Sequence, residues 1–228
     1  MRGVNSSSPG PSPERSRTTH EFVARDIAQR ILSGQLQGGQ RLLQSELATK
    51  LEVSTTPVRE ALRDLTNAGL VDFDPHRGAV VHEPDRKEME EIYELRLILE
   101  PLAIGRSVTQ LDAHELEAAR VVNQLMEEAD DFASWAILNR QFHELLTRAC
   151  GSRTLTAIVG NLSDRSAIYV ARSLVNDPKA RERGDREHGQ LLDAFARGDV
   201  AGVEATMRKH LEATRSVLAS EPDYSGRV

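Results

Sequence analysis

The chain has 228 residues, of which 39% are hydrophobic and 28% charged, enough for one large domain or two small ones with a real core. Its net charge of -6 argues against a protein that coats nucleic acid or an acidic membrane surface through bulk positive charge. The single cysteine, Cys150, excludes an internal disulfide, and no run reaches the roughly 18–20 apolar residues of a membrane helix. We therefore expect a cytoplasmic, mainly α-helical protein with no membrane partner.

Both ends of the chain have the composition of flexible segments. Residues 1–18 are rich in Ser, Pro and Gly and contain almost nothing apolar, so they cannot offset the entropy of ordering. We predict a disordered arm here and a flexible tail at 220–228. The arm has three arginines against one glutamate, and whether it touches DNA or is a spectator stays open.

Residues 19–84 have the pattern of three helices followed by a β-hairpin. Helical spacing of apolar residues begins near Phe22, a short second helix follows, and Ser54 suits the N-cap of a third helix that stops at Gly69. Two β-type runs, 70–74 and 79–82, flank a turn at 75–78. Three helices and a hairpin in about 65 residues predict a winged helix-turn-helix domain.

Residues 85–219 show helical periodicity almost throughout. We expect Asp85 to cap the first helix after a short hinge at 83–85, and turn signals near 151, 176–178 and 198–199 separate the later ones. The predicted fold class is mainly α, with an N-terminal winged helix-turn-helix and a C-terminal all-α bundle of about six helices.

The winged helix is itself slightly acidic, with seven basic against nine acidic residues in 20–84, so any DNA contact depends on placement. The N-terminus of the third helix offers free N–H groups for phosphate, and its first-turn side chains are within reach of base edges. An arginine at the hairpin tip could enter a minor groove. The alternative is that the helix arginines only pair with Glu60 and Asp64. The candidates for DNA contact are Thr55, Thr56, Arg59, Arg63 and Arg77.

Four polar residues of the bundle occur among core-spaced apolar residues. Asn139 and His143 share a helix face because they are four positions apart, and His188 and His210 lie in the last two helices. Inward-facing histidines from three helices could converge on a metal ion. For each histidine alone, a core position satisfied by a hydrogen bond is the competing interpretation.

Residues 27–81 resemble the winged helix of the GntR family. The resemblance rests on the block Pro57-Val-Arg-Glu-Ala-Leu62, on Gly69-Leu-Val71 and on Arg77-Gly-Ala79 at this spacing. It implies a dimeric repressor or activator that reads a short palindromic DNA operator. By position it assigns contacts to Thr56, Arg59, Arg77 and Gly78, and we add Ser45. The family usually has Arg where this chain has Thr55, which would weaken or retarget specificity by about 1–3 kcal/mol.

Residues 85–215 are similar to the FadR-type C-terminal ligand-binding domain (FCD) of that family. The matching segments include Glu94-Leu-Arg96, Phe142-His143, Glu187-His188 and His210-Leu211. The resemblance implies a metal site in which an Asp precedes the first histidine by four residues. This chain has Asn139 there, so we expect Asn139, His143, His188 and His210 to hold Zn²⁺ or Ni²⁺ less tightly.

Effectors of this domain class are mostly small carboxylates and sometimes acyl chains. Arg96 and Arg165 are the candidate carboxylate-binding residues, with a buried Arg96 ion pair as the alternative. A metal-free, acyl-responsive regulator and a metal-dependent hydrolase are the rival functions. No HExxH motif or nucleophile elbow is present, which argues against an enzyme.

Overall fold

The computed structural model describes residues 13–221, with side chains from residue 19 onward. Within these residues, nine helices and one antiparallel hairpin follow in the order helix–helix–helix–hairpin–six helices, which confirms the predicted fold class. The elements are α1 Pro13–Leu32, α2 Gln44–Lys50, α3 Thr55–Asn67, β1 Val71–Asp74, β2 Gly78–Val81, α4 Arg86–Ser107, α5 Ala113–Glu127, α6 Phe132–Thr147, α7 Arg153–Asn176, α8 Ala180–Ala196 and α9 Val200–Ala219.

The winged helix is built around the packing of α1 against α3. Val23 and Ile27 of α1 and Val58 and Leu62 of α3 are nearly inaccessible to solvent and form the centre of this core. Phe22, which the sequence pattern placed on the same stripe, is 58% exposed, because its neighbour Val23 occupies the inward position. The core holds α3 rigidly and leaves its opposite face in solvent.

The wing is a short two-stranded ribbon that gains a third pairing partner. Val71 pairs with Val81 and Asp74 with Gly78, and the segment 39–42 adds backbone hydrogen bonds along β2. Gly78 has a φ of +77°, a conformation that favours glycine and permits the tight turn before β2. Backbone hydrogen bonds therefore hold the base of the wing to the segment that precedes α2.

The bundle of α4–α9 is organised around α4, which packs against α9, α7 and α6. Pro101 lies inside α4 and has no N–H to donate to the carbonyl of Leu97. Arg208 of α9 donates to that carbonyl instead, with Nη1 2.9 Å from the oxygen. The packing of α9 against α4 thus supplies the hydrogen bond that the Leu97 carbonyl lacks because of Pro101. Over the described residues, no helix is long and apolar enough to span a membrane.

Both terminal segments differ in part from the sequence-based expectation. Helix α1 begins at Pro13, inside the segment predicted as a disordered arm, while residues 1–12 lie outside the described part of the chain. At the other end, Glu221 is tied to the bundle, because Arg172 Nε donates to its carboxylate at 2.6 Å and Arg86 donates to its carbonyl. The predicted tail at 220–228 was therefore wrong for Glu221, and residues 222–228 lie outside the described residues.

The junction between the winged helix and the bundle is a set of hydrogen-bonded charges, which we call the interdomain network. His82, just after β2, places Nδ1 2.9 Å from Asp72 Oδ2 and Nε2 2.7 Å from Glu88 Oε2. Tyr169 of α7 donates to the same Glu88 carboxylate at 2.8 Å, and Arg165 donates to its other oxygen. Asp85 caps α4 by accepting from the backbone N–H of Glu88, as the sequence predicted.

Candidate functional sites: DNA interface and buried histidine cluster

The N-terminus of α3 is exposed and its first-turn N–H groups are available to a ligand. Ser54 occupies the N-cap position with extended backbone, as predicted, but its side chain makes no capping hydrogen bond. Thr55 and Thr56 follow directly and are exposed. A helix N-terminus in this state is suited to bind DNA phosphate, because its N–H groups and dipole both favour an anion.

The two arginines of α3 point into solvent. Arg59 Nε is 3.7 Å from Glu60 Oε1, and the Arg59 side chain is 64% exposed. Such an exposed ion pair is weak, so the Arg59 guanidinium remains available for DNA. Asp64, the expected partner of Arg63, is instead hydrogen-bonded by His20 Nε2 at 2.8 Å. The alternative that both arginines are consumed in local ion pairs therefore fails for Arg63.

The wing tip and α2 complete the exposed surface around α3. Asp74 Oδ1 accepts from the N–H groups of His76 and Arg77 at 2.7 and 2.8 Å, which stiffens the turn. The Arg77 guanidinium donates one bond to Gly39 O at 2.9 Å and keeps its other donors. Gly78 has open space around its Cα, and Ser45 is exposed on α2.

Three histidines meet in the interior of the bundle, and we call them the histidine cluster. His143, His188 and His210, from α6, α8 and α9, place one ligand atom each within 4.8 Å of one another. All three are buried, and neither ring nitrogen of His143 or His188 has a hydrogen-bond partner among the described residues. Burial, followed by the proximity of the other histidines, holds the pKa of His143 and of His188 well below the usual value. Their nitrogens are thus neutral and able to act as ligands.

Glu187 supports the cluster from α8; the sequence comparison included this residue in the FCD resemblance but assigned it no role. Its Oε2 lies 2.9 Å from His210 Nδ1, and the carboxylate is only 3% exposed. A carboxylate on one ring nitrogen fixes the tautomer and leaves the other nitrogen for a ligand. Its place directly before His188 was the one available signal, and the contact to His210 depends on how α8 docks on α9.

A small cavity of about 20 Å³ adjoins the cluster, and we call it the sensor cavity. Asn139 and His210 line it, together with Tyr93 and Arg96 of α4. Asn139 Oδ1 and Tyr93 Oη are buried without a hydrogen-bond partner among the described residues, and burial raises the pKa of Tyr93 to about 12. Unpartnered buried polar atoms are costly, so their concentration around one cavity indicates a polar ligand.

The two effector candidates lie in different places. Arg96 is 2% exposed and lines the sensor cavity, while its Nε lies 2.5 Å from Glu100 Oε1, so it is both at the site and ion-paired. Arg165 is 43% exposed and belongs to the interdomain network through Glu88, away from the sensor cavity. The structure therefore does not bring Arg165 to the histidines, because it lies more than one turn before Val170, the first residue of α7 that lines the cavity.

A winged helix with an open recognition-helix terminus, joined to a bundle with a buried polar cavity, defines a DNA-binding regulator that senses a ligand. Comparison with protein families supports this class: residues 19–81 match the bacterial regulatory proteins of the gntR family, and residues 91–213 match the FCD domain. The chain belongs to the GntR family and is a transcriptional regulator with an effector-binding domain, not an enzyme.

Individual relatives agree with this assignment. The chain is 32% identical to the HTH-type regulator BphR of Paraburkholderia xenovorans, over 82% of this chain and 80% of that protein. It is 27% identical to a probable D-xylose utilization operon repressor of Paenarthrobacter nicotinovorans, over 89% and 90% of the two chains. The solved structure of Escherichia coli McbR shares the fold, with a TM-score of 0.72 at 23% identity over 90% of this chain and 99% of that one.

Proposed function

We propose that the protein is a repressor that binds a short palindromic DNA operator in the cytoplasm as a homodimer. The solvent-facing Thr55, Thr56, Arg59 and Arg63 of α3 support this, since they surround an open helix N-terminus. Arg77 and Gly78 at the wing tip and Ser45 on α2 extend the same surface. The repressor assignment is supported by the relative of Paenarthrobacter nicotinovorans.

Selection from a random duplex DNA library tests the DNA-binding proposal. We expect a palindromic sequence to be enriched, and Arg59→Ala to weaken binding to it by about 1–3 kcal/mol, roughly 5- to 150-fold. Arg197→Ala removes the same charge from an exposed turn of the bundle and should leave binding unchanged. Enrichment of no sequence, or equal losses for both variants, would contradict the proposal.

An apolar stripe on the outer face of α4 supports the proposal that the protein is a homodimer. Leu95, Ile98 and Leu102 are 47%, 59% and 41% exposed. An antiparallel pair of α4 helices related by a two-fold axis between positions 98 and 99 places Leu95 opposite Leu102. The same register places Glu91 opposite Arg106, so opposite charges flank the apolar centre.

Sedimentation equilibrium tests the dimer. Ile98→Asp puts a carboxylate at the centre of the proposed pairing, and we expect the dimer to dissociate into monomers. Val121→Asp on α5, where Val121 is 47% exposed, is the matched control and should remain dimeric. A dimeric Ile98→Asp variant would overturn the register.

We propose that Asn139, His143, His188 and His210 hold a divalent ion such as Zn²⁺ or Ni²⁺. The observation that carries this is the set of buried nitrogen and oxygen atoms without hydrogen-bond partners. The 4.8 Å span of the histidine atoms exceeds the roughly 3.4 Å between ligands of a tetrahedral zinc ion, so the side chains would close by about 1 Å. Bound there, the ion would supply a Lewis-acidic positive charge for a carboxylate effector.

The charge of this site favours a small organic acid as the effector. The proposed ligands of the ion are all neutral, and Glu100 already neutralises Arg96, so the ion's charge favours an anion beside it. The cavity of about 20 Å³ has room for about one water, so an organic acid and an acyl chain would both require the surrounding helices to move apart, and the preference for an acid rests on charge.

Two measurements separate the metal proposal from the effector proposal. Elemental analysis after purification without chelator should find one divalent ion per chain, and His143→Ala should lose it. Operator affinity of the metal-loaded protein, measured with glycolate, lactate and gluconate in turn, should change at least about fivefold for one of them. A metal-free protein whose His143→Ala variant still responds to an acid would overturn the metal role.

A further inference from the structure

A second cavity reaches the histidine cluster from the side of the bundle, between α6 and α7, and we call it the side channel. Its volume is about 130 Å³, several times that of the sensor cavity. One water requires about 10–15 Å³ on this measure, so the side channel has room for several waters or for a partly hydrated ion. Its wall includes the buried Thr147 and Ser163 and the helical glycine Gly160.

The inner end of the side channel is formed by His143. This residue lines the side channel, whereas Asn139 and His210 line the sensor cavity. Its side chain is 2% exposed and neither ring nitrogen has a partner among the described residues. A buried, neutral imidazole at the end of a polar channel is an acceptor for a metal ion that arrives through it.

The outer end carries more negative than positive charge. Arg140 Nη1 lies 3.0 Å from Glu144 Oε2, and the same guanidinium donates to Asp164. One guanidinium thus serves two carboxylates, which leaves one negative charge in excess where the channel opens. Burial raises the pKa of Asp164 despite the attraction of Arg140, so this carboxylate would gain from a second cation.

We infer that the side channel is a cation-binding route, in which Asp164 and Glu144 first hold a divalent ion that then passes to His143. This inference rests on the proposed metal site at the histidine cluster. Negative charge at the opening raises the local concentration of cations and their rate of capture. The sensor cavity, on the Asn139 side, then stays available to the effector.

Gly160 allows the route to be blocked without disturbing the histidines. A Cβ added at Gly160 meets no atom within 4 Å, so a larger residue can begin at this position of the channel wall without a backbone clash. Ala157, three residues earlier on α7, is exposed and does not line the channel. Gly160→Leu and Ala157→Leu therefore form a matched pair on one helix.

The experiment measures zinc uptake by the metal-free full-length protein in a stopped-flow instrument. The single tryptophan, Trp135, is the reporter, because its ring stacks on His188 with centroids 5.6 Å apart. We expect Gly160→Leu to slow uptake about tenfold or more, since a leucine side chain at the channel wall takes up volume that the ion must cross. Ala157→Leu should load at the wild-type rate.

The carboxylates are tested by the double variant Glu144→Gln, Asp164→Asn. We expect its uptake to be about tenfold slower than wild type at low salt, and less dependent on ionic strength. The equilibrium Kd, from competition with a chromophoric chelator, should be unchanged in all variants. Wild-type uptake rates in both Gly160→Leu and the double variant would overturn the route while the metal site stands. Failure of the wild-type chain to bind zinc in the chelator competition would overturn both.

Discussion

Two regions of the molecule contain buried or half-buried histidines, and they treat them in opposite ways. In the interdomain network both nitrogens of His82 are hydrogen-bonded, to Asp72 and to Glu88. In the histidine cluster neither nitrogen of His143 or His188 has a partner among the described residues. The protein itself thus satisfies both ring nitrogens of His82, whereas it leaves those of His143 and His188 without a described partner. Unmet hydrogen-bonding capacity therefore distinguishes the histidine cluster from His82 more clearly than burial does.

The charges of the two regions follow the same division. Burial opposes protonation of His82, but the hydrogen bonds that its ring donates to Glu88 and Asp72 outweigh it and raise its pKa. The bond from His82, aided by Arg165, lowers the pKa of Glu88 to about 2. In the cluster, burial lowers the pKa of His143 and of His188 with no carboxylate bonded to either. Hydrogen bonding therefore favours the charged form of His82, whereas burial favours the neutral form of His143 and His188.

The largest expected effect comes from leaving a charge unpaired inside the bundle. Arg96→Met leaves Glu100, which is 1% exposed, without its guanidinium partner, and should lower the free energy of unfolding by about 3–5 kcal/mol. Arg140→Met removes an arginine that is 40% exposed and should cost less than about 1 kcal/mol. Urea denaturation of the two variants measures both values. Equal losses would show that burial does not set the importance of these pairs.

Zinc should distinguish the two kinds of histidine. At free zinc 100-fold above Kd, binding should stabilise the wild-type chain by about 2.7 kcal/mol. His188→Gln should abolish this gain, because it removes a ligand nitrogen, and His82→Gln should retain it. Thermal denaturation with and without zinc is the measurement. A zinc response lost in both variants would mean that the cluster is not the site of binding.

Helical periodicity predicted most of the fold because each helix buries one face in a core. The turns predicted near residues 151 and 198–199 lie directly before α7 and α9 in the structure. Asn139 and His143 were also placed correctly on one face, since a spacing of four depends on local geometry alone.

The parts that sequence reasoning missed depend on how helices dock. A buried Arg96 ion pair was the alternative that the sequence left open, and the packing of α4 decides that Glu100 is the partner and that both side chains are fully buried. Arg165 was assigned to the effector, and the structure pairs it with Glu88, 77 positions away in the chain. Glu187 meets His210 only because α8 packs against α9.

A smaller effect should follow from restoring an anion at position 139. Asn139→Asp adds a carboxylate beside the histidines, and we expect zinc to bind about tenfold more tightly, a gain of 1.4 kcal/mol. Without metal the same variant should be less stable than wild type, because the new charge is buried beside neutral groups. Chelator competition and urea denaturation measure the two quantities. An unchanged Kd would place Asn139 outside the coordination sphere.

The smallest expected effect concerns the interdomain network and depends on pH. His82→Gln should lower the free energy of unfolding by about 1–2 kcal/mol at pH 6. The folded-state pKa of His82 is raised, so its contribution is fully present below the unfolded value of about 6.5 and is lost as pH rises through the folded value. Glu88, with a pKa of about 2, stays ionised across this range and adds no slope. The difference between wild type and His82→Gln should therefore shrink from pH 6 to pH 9.

His76→Gln provides the control for that series, because His76 is exposed at the wing tip and only its backbone N–H is hydrogen-bonded to Asp74. Its unfolding free energy should follow wild type at every pH. A difference between wild type and His82→Gln that stays constant with pH would mean that His82 packs as a neutral ring. The contrast between His82 and the two histidines His143 and His188 would then rest on hydrogen bonding alone.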